Sequence, residues 1–294
     1  MQKERFFMVR NLKRKPLFLL ALLLCCACGR GLPANYFDDT PRPQRIVSLA
    51  PSLTETVYDL GVGSNLVAAT NNDNYPPEVT KLPKVGNMYP DLELLAASRP
   101  DIVLAEKNFT PQDAITRMES LKLNLLVQEM QTIADLRSSL PQLGQALHAE
   151  VKAKELCDSY DKQMAEFQTN AQALKKHPTV FLEVWSAPLI TAGQGSLLGD
   201  IAERAGAINI YADSKQAYPV VSGEDLIMRD PDIIILTGTK PEDAAKSPGL
   251  RGLKAVKQGH ILFVDPDILQ RPTMRCLEGI RTIQQYIMQQ EGKL

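Results

Sequence analysis

The sequence predicts an α/β protein of two similar lobes, each a mostly parallel sheet with flanking helices. One long rigid helix joins the lobes, and a ligand cleft lies between them. Three observations carry this reading. Short apolar runs alternate with segments of helical spacing, the pattern of β-α-β units. A strand-free stretch interrupts that alternation near the middle of the chain. One helix–Pro–strand unit also occurs twice, as DLELLAASRPDIVLA (Asp91 to Ala105) and GEDLIMRDPDIIIL (Gly223 to Leu236). Laid without a gap, Glu93 falls on Glu224, Leu95 on Leu226, Pro100 on Pro231 and Asp101 on Asp232.

The first lobe opens with RIVSLA (Arg45–Ala50), a short apolar run closed by Pro51 and read as a buried strand. Ser52 and Glu55 have the spacing of a capping box. Leu53, Val57 and Leu60 continue the helix, and Gly61 and Gly63 end it. A strand at Leu66–Thr70 and a loop at Asn71–Pro77 follow. After the first unit come a helix near Pro111–Lys122 and a strand at Leu123–Gln128.

From Thr132 no strand-like run appears until Thr179. Pro141 is expected to divide two helices here. The second, near Leu143 to Lys176, is rich in Ala, Leu, Glu, Gln and Lys and reads as a rigid spacer. The alternation then resumes with a strand at Thr179–Trp185, a helix at Ser196–Gly206 and a short strand at Ile208–Tyr211. The second unit, a helix at Leu250–Lys257, a strand at Ile261–Asp265 and a last helix from Thr273 to Gln290 complete it. The expected divisions are residues 45–142 for the N-terminal lobe, 143–177 for the bridging helix and 178–294 for the C-terminal lobe.

The start of the chain is of another kind. Six basic residues up to Lys15 precede an apolar run, LFLLALLLCCA (Leu17 to Ala27), and the small residues Ala27, Cys28 and Gly29 close it. That is the layout of a secretory signal, too short to span a bilayer as a mature helix. A Cys after a small residue at this point fits a lipoprotein signal, with Cys28 lipidated. Residues 1–28 are thus expected to be the signal and 29–44 a polar tether. The location is then extracytoplasmic, on a membrane through a lipid anchor.

The full chain counts 33 basic and 34 acidic residues; beyond residue 28 the counts are 27 and 33. Neither balance favours a nucleic-acid partner. Cys157 and Cys276 remain beyond the signal, and nothing in their spacing pairs them.

Signals for an enzyme are thin. The three His, at 148, 177 and 260, are scattered, which disfavours a His-based catalytic centre or a zinc site. No phosphate loop, dinucleotide fingerprint or G-x-S-x-G elbow occurs. Glu183, mid-strand beside Val184 and Trp185, is the one candidate for a hydrolase, and a structural pairing role is the simpler reading. The expectation is a protein that is not an enzyme and holds no cofactor or resident metal.

The loops that a cleft would gather are more informative. The first lobe offers Asn72 and Tyr75 in Asn71–Tyr75, and Met88 and Tyr89 after Gly86. The second offers Trp185, Gln194, Tyr211, Tyr218, and Asp267 and Arg271 in the stretch from Asp265. Aromatics and amides on loops suit a planar organic ligand with polar edges. Glu93 and Glu224 each fall in the first turn of a helix, where the helix dipole favours a carboxylate. Two exposed carboxylates, one per lobe, would equally make a two-point dock for basic pockets on a partner.

Three stretches carry a resemblance in the first lobe: RIVSLAPSLTETVYDLGVGSNLVAAT, YPPEVTKLPKVG and DLELLAASRPDIVLA. VFLEVWSAPLITAG, AYPVVSGEDLIMRDPDIIILTG and VDPDILQRP carry it in the second. From Arg45 onward the chain resembles class III periplasmic binding proteins, which serve ABC importers of cobalamin, ferric siderophores and haem. It is most similar to the cobalamin-binding-like branch. The resemblance implies two Rossmann-like lobes, a rigid helical bridge and limited closure on a ligand. It implies that Glu93 and Glu224 dock Arg pockets of a permease dimer, which is driven by an ATPase. It also implies a transported corrinoid held by aromatics of both lobes in a monomer. Trp185, Tyr218 and Asp267 fit that pattern, whereas Asn72 and the Met88–Tyr89 pair stand where the vitamin B12 binder has Tyr and Trp. Haem, with Tyr75, Met88 or Tyr89 as axial ligand, or a ferric siderophore held by Arg271, is the alternative cargo. An extracytoplasmic hydrolase and a ligand-sensing lipoprotein are the alternatives of other kinds.

Overall fold

The structure, a computed structural model, describes residues 42–292. The expected signal, the lipidation site Cys28 and most of the expected tether lie outside the described residues.

The first lobe holds β1 (Ile46–Ser48), α1 (Pro51–Asp59), β2 (Leu66–Ala68), α2 (Leu92–Ala97), β3 (Ile102–Glu106), α3 (Gln112–Ser120) and β4 (Leu125–Gln128). Its four strands are all parallel, in the order β2-β1-β3-β4. Two helices follow, α4 (Ile133–Ala146) and α5 (Glu150–Ala173). The second lobe begins with β5 (Thr179–Ser186), β6 (Leu189–Thr191), α6 (Leu197–Arg204), β7 (Ile208–Asn209) and α7 (Gly223–Arg229). It continues with β8 (Ile233–Leu236), α8 (Pro241–Ala244), α9 (Lys254–Gln258), β9 (Ile261–Phe263), α10 (Pro266–Leu269) and α11 (Cys276–Gln290).

The internal repeat is real at the level of topology. β7, β5, β8 and β9 pair in parallel in the order that β2, β1, β3 and β4 take in the first lobe. The likeness extends to single residues. α2 and α7 each end before a Pro, and the residue ahead of that Pro is left-handed in both cases: Arg99 at φ +46° and Asp230 at φ +42°. A residue before Pro is pushed out of the right-handed helical region, so each helix must stop there. Asp101 then accepts the amides of Gln44 and Arg45 at the entry to β1, and Asp232 accepts the amide and hydroxyl of Thr179 at the entry to β5. The repeated Pro–Asp thus ends a helix and anchors the neighbouring strand in both lobes.

Two sequence expectations need correction. Pro141 does not divide two helices; it sits inside α4. A Pro there removes one helical hydrogen bond, but Leu136, Leu140 and Leu143 are fully buried and hold the helix through it. The break comes at 147–149, where His148 takes φ +50°, so the bridging helix starts at Glu150 rather than near 143. Gly144 lets the two helices close up, since a Cβ there would stand 2.4 Å from that of Ala153. The sheet of the second lobe is mostly parallel, as expected, with β6 returning antiparallel along the end of β5. The second correction is that Ser52 and Glu55 form no capping box. Pro51 opens α1, Ala50 caps it without a side chain, and both polar residues reach across to other elements.

The lobes are not independent beads. One apolar cluster runs from β1 and α1 through α4 and α5 into β5, α6 and α11. Separate clusters cover the outer faces of the two sheets. Such a shared core resists wide opening of one lobe against the other. Cys157 and Cys276 are both buried and not bonded to each other. Among the described residues no helix is long and apolar enough to cross a membrane.

Candidate functional site

The C-terminal ends of β1 and β3 and the segment after β9 face one another, and a cavity of about 390 Å³ lies between them. The first lobe supplies Pro51, Ser52, Asn72, Glu106 and Phe109; the second supplies Asp267, Gln270, Arg271 and Pro272. Ligands of α/β sheets sit at the carboxyl ends of strands for a topological reason, since the loops there are free to vary. A larger groove of about 900 Å³ runs between α5 and α6, but the bridge and the second lobe alone wall it.

A cluster of charges closes one side of the cavity. Glu55 of α1 is 2% exposed, and its Oε1 accepts Nη1 of Arg271 at 2.9 Å and Nη1 of Arg275 at 3.2 Å. Arg271 also donates to Oδ1 of Asn74 at 2.7 Å and pairs with Asp267 at 2.7 Å, while Asn74 donates back to Asp267 at 2.6 Å. The guanidinium of Arg275 lies 3.9 Å over the ring of Tyr75. These contacts tie the two lobes together. Arg271, expected to be available to a ligand, therefore has its charge already met by two carboxylates, because the fold brings α1 and the 72–75 loop onto it.

Glu106 is different. Ser52 donates its hydroxyl to Oε2 of Glu106 at 2.5 Å. Burial pushes the Glu106 carboxyl up to about 7, against the pull of that hydrogen bond. Tyr218 of the second lobe lies close enough to feel it. The tyrosine hydroxyl is raised chiefly by burial and further by the Glu106 charge, while the Leu197 amide at the start of α6 opposes both. The ring of Tyr218 remains half exposed.

The expected binding residues thus divide. Asn72, Asp267 and Arg271 line the cavity. Tyr75 stands beside it under Arg275, and the hydroxyl of Tyr218 is raised in part by the Glu106 charge. Trp185 is 59% exposed at the turn of the β5–β6 hairpin, its indole N–H fixed on the Ala187 carbonyl at 2.9 Å. Met88 and Tyr89 are exposed on the Gly86–Pro90 turn and do not line the cavity. Tyr211 is no cleft residue: it is buried in the second lobe, edge-on to Phe181 with Arg229 over its ring. Ser52, Glu55, Glu106 and Arg275 were not expected at the site. Glu106 had one signal, its place as the last residue of the apolar run Ile102–Ala105, where a strand opens towards a cleft.

Glu183 is fully buried and holds the turn after β8. It accepts the amides of Gly238 at 3.2 Å and Thr239 at 2.8 Å, and the Thr239 hydroxyl. Those bonds occupy both oxygens and give it a structural role. No group of three or more His, Cys, Asp or Glu among the described residues is arranged to hold a metal ion.

Glu93 and Glu224 occupy equivalent exposed places in the first turns of α2 and α7. Capping is done by their neighbours: Asp91 accepts the amides of Glu93 and Leu94, and Ser222 accepts that of Asp225. Apolar side chains flank both, Leu94 and Tyr89 on one lobe and Val220, Ile227 and Met228 on the other.

A family model described as periplasmic binding protein matches residues 46–268. An uncharacterized ABC transporter substrate-binding lipoprotein of Bacillus subtilis is 32% identical over 252 residues, covering 83% of this chain and 80% of its own. A vitamin B12-binding protein of Pectobacterium carotovorum is 30% identical over 272 residues, covering 90% and 92%. The crystal structure of the periplasmic vitamin B12 binding protein of Vibrio cholerae matches with a TM-score of 0.76 over 85% of this chain and 99% of that one. At 24% identity, that likeness speaks for the fold alone.

Proposed function

The chain belongs to the periplasmic binding protein family, and we propose that it is the extracytoplasmic substrate-binding component of an ABC importer. In this reading it captures a metal chelate, foremost a corrinoid, in the cleft between its lobes and delivers it to a permease. The observation that carries the reading is the cavity itself: both lobes wall it, at strand ends, and Glu183, the residue considered for a hydrolase, is committed to the turn after β8. The likeness to an ABC transporter lipoprotein and to a vitamin B12-binding protein supports the same reading.

The cavity is at the small end of organic-ligand pockets, which run from about 300 to 1,000 Å³. A corrinoid would place one edge in it and lay its plane against exposed aromatics of the two lobes, with Tyr75, Tyr218 and Trp185 the candidates. Exposed aromatic faces of this kind are costly to leave in water and are used in recognition. Glu93 and Glu224, exposed on equivalent helices that Asp91 and Ser222 already cap, would dock Arg pockets of a permease dimer coupled to an ATPase. Cys28 would carry the lipid that keeps a monomer at the membrane surface.

The test is calorimetric titration of the full chain in detergent micelles with cyanocobalamin, haem and a panel of ferric siderophores. One-to-one binding of cyanocobalamin that weakens in Trp185→Ala is the expected result. Binding of haem or a siderophore alone would keep the transport role and overturn the corrinoid. Heat from none of them would overturn the reading.

A further inference from the structure

The cavity between the lobes carries an imbalance of charge with a chemical consequence. Four carboxyl or guanidinium groups besides Glu106 stand at or beside it. Glu55 and Asp267 are matched by Arg271 and Arg275 in one continuous cluster. Glu106 is outside that cluster. Ser52 donates to one of its oxygens, and no cation among the described residues pairs with either. The neighbouring Lys107 is turned to the surface, where it meets Glu129 at 3.2 Å. The cavity therefore presents one unmatched carboxyl group at the end of β3, with Oε1 free of any described donor.

A partly buried carboxyl without a cationic partner is a cost to the fold, and such groups concentrate at binding sites. What it can do is fixed by its chemistry. Ionised, it accepts hydrogen bonds and attracts positive charge; it repels a second carboxylate brought into the same low-dielectric space. Arg271 cannot offset that repulsion, because Glu55 and Asp267 already hold it.

We propose that Glu106 is a specificity-determining residue of the cleft, admitting chelates that present N–H donors or positive charge and rejecting chelates that carry carboxylates. The inference rests on the cleft being the ligand site. It goes further in naming the residue that sorts the cargo and the chemical class that it selects. Amide-edged corrinoids and hydroxamate iron chelates fall on the accepted side. Haem, with its two propionates, and ferric citrate fall on the other.

The experiment titrates the full chain in detergent micelles with cyanocobalamin, ferrioxamine B, haem and ferric citrate, as wild type and as Glu106→Gln, at pH 8. Gln keeps the shape and the Ser52 contact and removes the charge, so folding is not at risk. Wild type is expected to prefer the carboxylate-free chelates. Glu106→Gln is expected to narrow the ratio of carboxylate-bearing to carboxylate-free dissociation constants at least tenfold, with Glu106→Asp restoring it in part. A wild type that binds cyanocobalamin or ferrioxamine B with a ratio unmoved by Glu106→Gln would overturn the selection and leave the transport reading intact. A wild-type preference for haem or ferric citrate would overturn it equally. Binding of none of the four would overturn both.

Discussion

Glu55 and Arg271 meet at 2.9 Å from opposite lobes, with side chains 2% and 13% exposed, and Arg275 shares the same carboxylate oxygen at 3.2 Å. The other oxygen of Glu55 is buried without a hydrogen bond. One carboxylate thus holds two guanidinium groups at the seam of the cleft. Together with the apolar cluster common to both lobes, this cluster fixes the width of the cleft before any ligand arrives. The lobes are set for small adjustments rather than wide opening.

Removing Glu55 should therefore cost far more than a surface ion pair. Glu55→Ala leaves Arg275 without its carboxylate and Arg271 with Asp267 alone, and breaking a buried pair from one side costs up to about 3–5 kcal/mol. Urea unfolding of the variant is expected to show a loss in that range. A loss under about 1 kcal/mol, the range of exposed pairs, would mean that the cluster is solvated and does not hold the lobes.

Trp185 should behave in the opposite way. Its ring is 59% exposed and its indole N–H is satisfied by its own hairpin, so little of the fold depends on it. Trp185→Ala is expected to leave the unfolding midpoint nearly unchanged. Cyanocobalamin should bind roughly tenfold more weakly, since a lost aromatic contact is worth about 0.5–1.5 kcal/mol beyond the area it buries. A drop in stability with no drop in affinity would place this residue in the framework instead.

Glu106 gives the stability of the protein a pH signature. Its carboxyl is raised from 4.5 to about 7 by burial. The unfolded chain releases that proton first, so unfolding grows easier as pH rises from 4.5 towards 7, and the effect is constant above. Asp59, raised to about 6 by burial and by the Glu55 charge, acts in the same direction. Salt-bridged carboxyls such as Asp161, held low by Arg137, act in the other. The difference between wild type and Glu106→Gln isolates the one group. It is expected to favour the variant increasingly between pH 4.5 and 7, by up to about 3 kcal/mol, less where solvent at the cleft mouth screens the charge. Parallel profiles for the two proteins would show that the Glu106 carboxyl is not raised in the folded state.

The sequence made the architecture legible because two lobes repeat one unit, and the repeat carries its own punctuation in Pro100 with Asp101 and Pro231 with Asp232. Pro141 misled for a related reason: a local breaker signal was outweighed by leucines that bury completely across it. The site was legible only in outline. Asn72, Asp267 and Arg271 line the cavity, and loop composition pointed to them because cleft-facing loops carry polar and aromatic residues. Glu55 and Ser52 were hidden because they satisfy a capping pattern that Pro51 makes unnecessary, and their real partners are 216 and 54 residues away in the chain. No local pattern reports a contact at that separation.

The paired glutamates separate an importer subunit from a sensor. Asp91 and Ser222 already cap α2 and α7, so Glu93→Ala and Glu224→Ala remove only a small dipole interaction of about 0.3–1 kcal/mol each. Folding and cyanocobalamin affinity of the double variant are expected to match wild type. Uptake by vesicles containing the permease and its ATPase is expected to fall at least tenfold, with each single variant in between, because two carboxylates matched to two Arg pockets act as a bidentate clamp across both lobes. Unchanged uptake in the double variant would remove the docking role and leave these residues as surface charges. Weakened ligand binding with intact docking would instead assign them to the cleft.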